Sequence, residues 1–145
     1  REKLANQFDL KLSNVTVGAG SEGVMSAIMR TFLRQGDEII GAENSFIGFR
    51  VLANCSGIST YWVPLKEYHH DLDAMVVYIS DYTKLIYLAN PDNPTGTYFT
   101  VEEFDKYLNG SVLLDICFEA LINSLGKLVS ILGSAFISNF FAICK

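Results

Sequence analysis

The sequence predicts an α/β fold: a mostly parallel sheet with helices on both faces, in three layers. Two observations predict it. Short apolar runs alternate with amphipathic segments of helical period along the chain. The apolar runs also lack a clean in-out alternation, which implies burial on both faces of the sheet. A length of 145 residues suits one domain, and we expect residues 1–145 to be part of a single large domain.

The elements follow in order. Arg1 to Phe8 puts Leu4, Ala5 and Phe8 on one face of a short helix. Asn14 to Val17 reads as a short strand, followed by the turn Gly18-Ala19-Gly20-Ser21-Glu22-Gly23. Val24, Met25, Ile28, Met29, Phe32 and Leu33 then recur at helical spacing, and Gln35-Gly36-Asp37 ends that helix. Glu38 to Ile40 is the next strand, and Ile47 to Cys55 a helix closed by Gly57. Ser59 to Val63 is a strand ended by Pro64, and Asp71 to Ile79 a helix with Leu72, Met75, Val76 and Ile79 inward. Leu85 to Ala89 is a strand, Val101 to Leu108 a helix, and Val112 to Leu114 a short strand ended by Asp115. Glu102 and Glu103 read as acids favoured at a helix start. Leu128 to Cys144 carries no charge, but Gly133, Asn139 and three serines argue for a helix over 127–135 and a buried strand near Phe140 to Cys144 rather than a membrane span.

Composition narrows the function. A net charge of −5 with no run of Lys or Arg argues against a nucleic-acid surface. Cys55, Cys117 and Cys144 form no C-x-x-C pair, so zinc and dithiol chemistry lack support; they read as small core hydrophobes in a reducing, cytoplasmic setting. His69 and His70 read as part of a solvated loop. The first residues show no signal-peptide core and no initiator methionine, so the chain is expected to be a cut from something longer.

Polar signals mark three strand ends. The Gly-rich turn at Ser21 and Glu22 would open a helix whose free N–H groups bind an anion. Asn90-Pro91-Asp92-Asn93-Pro94-Thr95-Gly96-Thr97 is a polar turn that presents the Asn93 amide, both donor and acceptor. Asp115 offers a carboxylate. A phosphate, a phenolic oxygen and a protonated ring nitrogen are what these three would hold, and Phe46 could supply a flat apolar platform. Those are the handles of pyridoxal 5′-phosphate.

On these residues the chain resembles the pyridoxal-phosphate-dependent aminotransferases of fold type I, and among them most the histidinol-phosphate aminotransferases. The likeness is carried by Val17 to Gly23, Phe32 to Ile39, Asn90 to Thr97 and Val112 to Asp115, and it extends from Arg1 to about Glu119, with 120–145 divergent. The resemblance implies that the backbone N–H groups of Ser21 and Glu22 cradle the cofactor phosphate, with the Glu22 carboxylate turned away. It implies that Phe46 stacks on the ring, Asn93 bonds the phenolic oxygen and Asp115 pairs with the ring nitrogen. It further implies an enzyme that moves an amino group to a 2-oxo acid in amino-acid biosynthesis, histidine biosynthesis in particular. Its full-length form would be a homodimer in the cytoplasm, working on small amino compounds with no nucleic-acid partner and no membrane partner.

Two departures qualify that expectation. Phe118 stands where the family has a tyrosine that donates to the phenolic oxygen, and a phenyl ring cannot donate. Lys145 stands at nearly the separation from Asp115 expected of the Schiff-base lysine, but without the hydroxyl residues that surround it in the family. The chain is therefore expected to stop short of that lysine and to be inactive alone. Two alternatives share the motifs: a non-catalytic remnant acting as a binding or membrane-associated module, and a decarboxylase of the same fold acting on an amino-acid phosphate.

Overall fold

The computed structural model describes residues 1–110 and the strand at 139–143. Among the described residues the sheet has four strands: β1 (Glu38–Ala42), β2 (Ser59–Val63), β3 (Thr83–Ala89) and β4 (Asn139–Ile143), in the spatial order β2-β1-β3-β4. β1 pairs in parallel with β2 and with β3, whereas β4 runs antiparallel to β3, so the sheet is mostly parallel.

Among the described residues five α-helices accompany the strands: α1 (Glu2–Gln7), α2 (Gly20–Phe32), α3 (Ile47–Ser56), α4 (Leu72–Val77) and α5 (Val101–Gly110). Successive residues of a strand point to opposite faces, and that divides the core in two. Ile39, Leu85, Tyr87 and Ala89 pack with Met25 and Met29 of α2 and Phe49 and Ala53 of α3. Ile40, Ala42, Ile86 and Leu88 pack with Met75 of α4 and Tyr107 of α5. Helices therefore cover both faces of β1 and β3, which explains why those strands carry no polar side.

Local chemistry sets the helix ends. Asp71 caps α4, its Oδ1 accepting from the Ala74 N–H at 3.0 Å. Thr100 and Glu103 form a reciprocal capping box at α5, with Glu103 Oε2 accepting from Thr100 N at 2.7 Å and Thr100 Oγ1 accepting from Glu103 N at 3.2 Å. Gly57 ends α3 in the left-handed region, at φ 71°.

Three expectations need correction. Asn14 to Val17 is not a strand: Leu12–Asn14 forms a 3-10 turn, and no described strand lies alongside Val15. The Val15 carbonyl instead accepts from Arg1 Nε at 2.7 Å. Cys55 is exposed rather than in the core, because it lies two positions along α3 from the buried Ala53 and so on the far side of the helix. His70 is buried, not solvated, although its neighbour His69 is exposed. Cys117, Cys144, Val112 to Leu114 and the helix expected over 127–135 lie outside the described residues. Among the described residues no helix is long and apolar enough to cross a membrane.

Candidate functional site

The chain passes from β1 to β2 on one side, then crosses to form β3 on the other side of β1. The carboxyl ends of β1 and β3 thus flank the point where the strand order reverses, the place where open α/β sheets form a ligand crevice. Two loops rise there, 43–46 after β1 and 90–100 after β3. Between them lies a cleft of about 540 Å³ whose lining includes Ser45, Phe46, Arg50, Asn93 and Pro94. That volume is in the range of small-ligand and cofactor sites.

The β3 loop is a closed polar turn. The Asn90 side chain pairs with the Phe99 backbone in both directions, donating from Nδ2 to the carbonyl at 3.0 Å and accepting at Oδ1 from the N–H at 3.1 Å. Asp92 N donates to Thr97 O at 2.8 Å, and Gly96 N donates to Asp92 O at 2.9 Å. Gly96 sits at φ 74°, a conformation open to glycine at little cost. The peptide bonds Asn90-Pro91 and Asn93-Pro94 are both cis. This frame leaves Asn93 at the cleft, and its amide has no hydrogen bond to another described residue.

Phe46 ends the β1 loop at the start of α3. A Cβ built on Gly48 would come within 2.5 Å of its ring and 2.8 Å of Glu22 Oε1. The glycine therefore lets the ring lie close to the α3 backbone, and the Glu22 carboxylate lies against that first turn. Through this contact the start of α2 meets the start of α3. α2 opens at Ala19, which has no side-chain cap, so Ser21 and Glu22 stand at an uncapped helix N-terminus. Arg50 brings a cation to the cleft wall, with Nη1 donating to Glu43 O at 2.5 Å and its guanidinium 4.9 Å from the Trp62 ring centroid.

Of the residues singled out from sequence, Phe46 and Asn93 line one cleft, Glu22 comes close to it through its carboxylate beside Gly48, and Ser21 stands next to Glu22 in the first turn of α2. Asp115, Phe118 and Lys145 lie outside the described residues. Sequence reasoning missed Ser45, Arg50, His70 and Asp92. Asp92 was within the polar turn it had marked; burial was the missing signal. The Asp92 side chain is 0% exposed and that of His70 1%, with His70 Nε2 3.3 Å from Asp92 Oδ1. Burial is the main influence holding the His70 pKa below its usual value, against the opposing pull of Asp92. Tyr87, also buried and near Asp92, has its phenol pushed well above the usual range.

The chain has relatives. The family model for aminotransferase class I and II matches residues 1–127. A histidinol-phosphate aminotransferase of Hydrogenovibrio crunogenus is 38% identical over 109 residues, covering 75% of this chain and 29% of that protein. An aromatic amino acid aminotransferase of Corynebacterium glutamicum is also 38% identical over 109 residues, covering 74% of this chain and 32% of that protein. The chain thus spans roughly three-tenths of the length of the curated relatives it matches. Among solved structures, an aminotransferase from Escherichia coli superposes with a TM-score of 0.69 at 20% identity, covering 78% of this chain and 30% of that one. A histidinol-phosphate aminotransferase from Sinorhizobium meliloti in complex with pyridoxal-5′-phosphate superposes at 0.66 with 24% identity, covering 74% of this chain and 30% of that one. At these identities the superpositions speak for the fold.

Proposed function

The chain belongs to the class I and II aminotransferase family, and on that premise we propose that its cleft is the pyridoxal 5′-phosphate end of a transaminase active site. The observation that carries the reading is the meeting of Phe46 and Asn93, from loops after two different strands, in one cleft at the switch point of the sheet.

The residues present fit that cofactor. Phe46 offers a flat apolar face for the pyridine ring, and the Asn93 amide at the cleft offers a donor for the phenolic oxygen. Ser21 and Glu22 offer backbone N–H groups at an uncapped helix start for the phosphate. Asp115 would pair with the ring nitrogen, and Phe118 would leave the phenolic oxygen without a tyrosine donor. When bound, the cofactor supplies an electron sink through which an amino group moves between carbon skeletons. The chain's residues would hold the ring flat, fix its rotation and donate hydrogen bonds to its phosphate.

Under this reading the whole protein transfers an amino group to a 2-oxo acid. Its donor would be an amino acid or an amino phosphate of the histidinol-phosphate kind, because relatives named for each kind are equally similar to the chain, at 38% identity. We place it in the cytoplasm as a homodimer, with residues 1–145 as part of its cofactor-binding large domain.

Absorbance titration of the chain with pyridoxal 5′-phosphate tests the proposal. Saturable binding that Asn93→Ala weakens about tenfold, roughly one charge-assisted hydrogen bond, supports it. No saturable binding by the folded chain would overturn it. Borohydride reduction and peptide mapping of the same sample decide whether Lys145 becomes labelled; the expected result is that it does not.

A further inference from the structure

We propose that Asp92 is a positioning residue that locks the loop carrying Phe46 to the loop carrying Asn93, with His70 as a neutral donor that holds its carboxylate in place. The inference rests on the cofactor reading of the cleft for its consequence, but the lock itself is independent of any ligand.

Three chain segments converge on one dry carboxylate. Ser45 Oγ, from the β1 loop, donates to Asp92 Oδ1. Thr95 Oγ1, from the β3 loop itself, donates to Asp92 Oδ2 at 2.9 Å. His70, from the segment between β2 and α4, brings Nε2 to 3.3 Å from Oδ1 and to 3.0 Å from the carbonyl of Ala89, the last residue of β3. Both neighbours of Nε2 are acceptors, so Nε2 carries the proton. His70 Nδ1 is buried with no hydrogen-bond partner among the described residues. A proton there would have no acceptor among the described residues, which favours the neutral Nε2–H tautomer. The Phe99 ring, edge-on at 5.9 Å between centroids, walls the imidazole from another side.

The placement matters because of sequence adjacency. Ser45 precedes Phe46, and Asp92 precedes Asn93. The two side chains that line the cleft therefore hang from the two residues joined by this hydrogen bond. Among the described residues neither loop has a strand partner at that point, so the distance from ring platform to amide depends on side-chain contacts. Asp92 provides the buried contact that spans both loops. A buried carboxylate with several donors is a rigid anchor, because losing it removes one acceptor from all of those donors at once in a dry site.

The test is amide hydrogen exchange on the 145-residue chain without cofactor, paired with the pyridoxal 5′-phosphate titration. Gly96 and Thr97 report the β3 loop; Phe49 and Arg50, whose N–H groups bond back to Phe46 O, report the β1 loop. Asp92→Asn is expected to speed exchange about tenfold at both sets, with β1 and β3 amides unchanged, and to weaken cofactor binding by a similar factor. Ser45→Ala should free only the β1-loop set. His70→Phe should free Gly96 and Thr97, and His70→Gln, which keeps a donor, should restore their protection. Unchanged protection in Asp92→Asn would overturn the lock, as would faster exchange spread evenly through β1 and β3. A wild-type chain that shows the exchange pattern but binds no pyridoxal 5′-phosphate would sink the cofactor reading and leave the lock standing.

Discussion

His70 Nε2 lies 3.3 Å from Asp92 Oδ1, and the two side chains are 1% and 0% exposed. Burial depresses the His70 pKa below its usual value, with Asp92 and the Ala89 carbonyl opposing and His69 adding slightly to the depression. The folded state thus takes up the His70 proton at lower pH than the unfolded state does. Just below the ordinary histidine pKa the unfolded chain binds more protons, so stability rises with pH there and falls on acidification. We expect the urea midpoint to drop between pH 7 and pH 5, and His70→Gln to flatten that dependence. Equal pH dependence in both proteins would refute the assignment.

Gly48→Ala should damage the cleft more than the fold. The new Cβ would meet the Phe46 ring at 2.5 Å and Glu22 Oε1 at 2.8 Å, both parts of side chains that can move. The ring swings out, the platform is lost, and the helix gains a better former than glycine. Cofactor affinity should fall several-fold while the urea midpoint shifts by less than about 1 kcal/mol equivalent. Unchanged affinity would mean that Phe46 is not the platform.

Thr100→Ala removes one half of the α5 capping box, where Thr100 Oγ1 accepts from Glu103 N at 3.2 Å. The expected cost is about 1 kcal/mol, read as a lower melting temperature. Glu103→Gln keeps a side-chain oxygen in reach of Thr100 N and should cost less.

Phe49→Ala tests the face of the sheet covered by α2 and α3. Phe49 stacks on Tyr87 with centroids 3.8 Å apart and meets Trp62 edge-on at 6.3 Å. It is 1% exposed, so truncation opens a cavity and should cost about 3–5 kcal/mol. Trp62 is the single tryptophan, so its emission reports the repacking directly. A loss under about 1 kcal/mol would show that this face closes over the gap.

Much of the fold was legible because its signals are local. Ser59 to Val63 was read as a strand with the bounds that β2 has, since Gly57 before it and Pro64 after it punctuate the run. α3 and its Gly57 stop follow from helical period and a left-handed cap. Asn14 to Val17 was misread for the opposite reason: a strand needs a partner, and none of the described strands lies beside it.

The candidate site was legible only in part. Phe46 and Asn93 could be marked because each sits in a motif with its own composition. His69 and His70 are chemically identical neighbours in the sequence, yet one is exposed and the other buried. Nothing local separates them.

The sequence by itself determined the alternation of strands and helices, the caps, and the turn that carries Asn93, because these depend on residues a few positions apart. Tertiary structure decided which polar groups are dry and which loops are tied together. Ser45 and Asp92 are 47 positions apart, and they meet only because β1 and β3 pair in parallel and lift their loops from the same edge. That edge strips water from His70 and Asp92, and desolvation is a property of the packed molecule rather than of any stretch of chain.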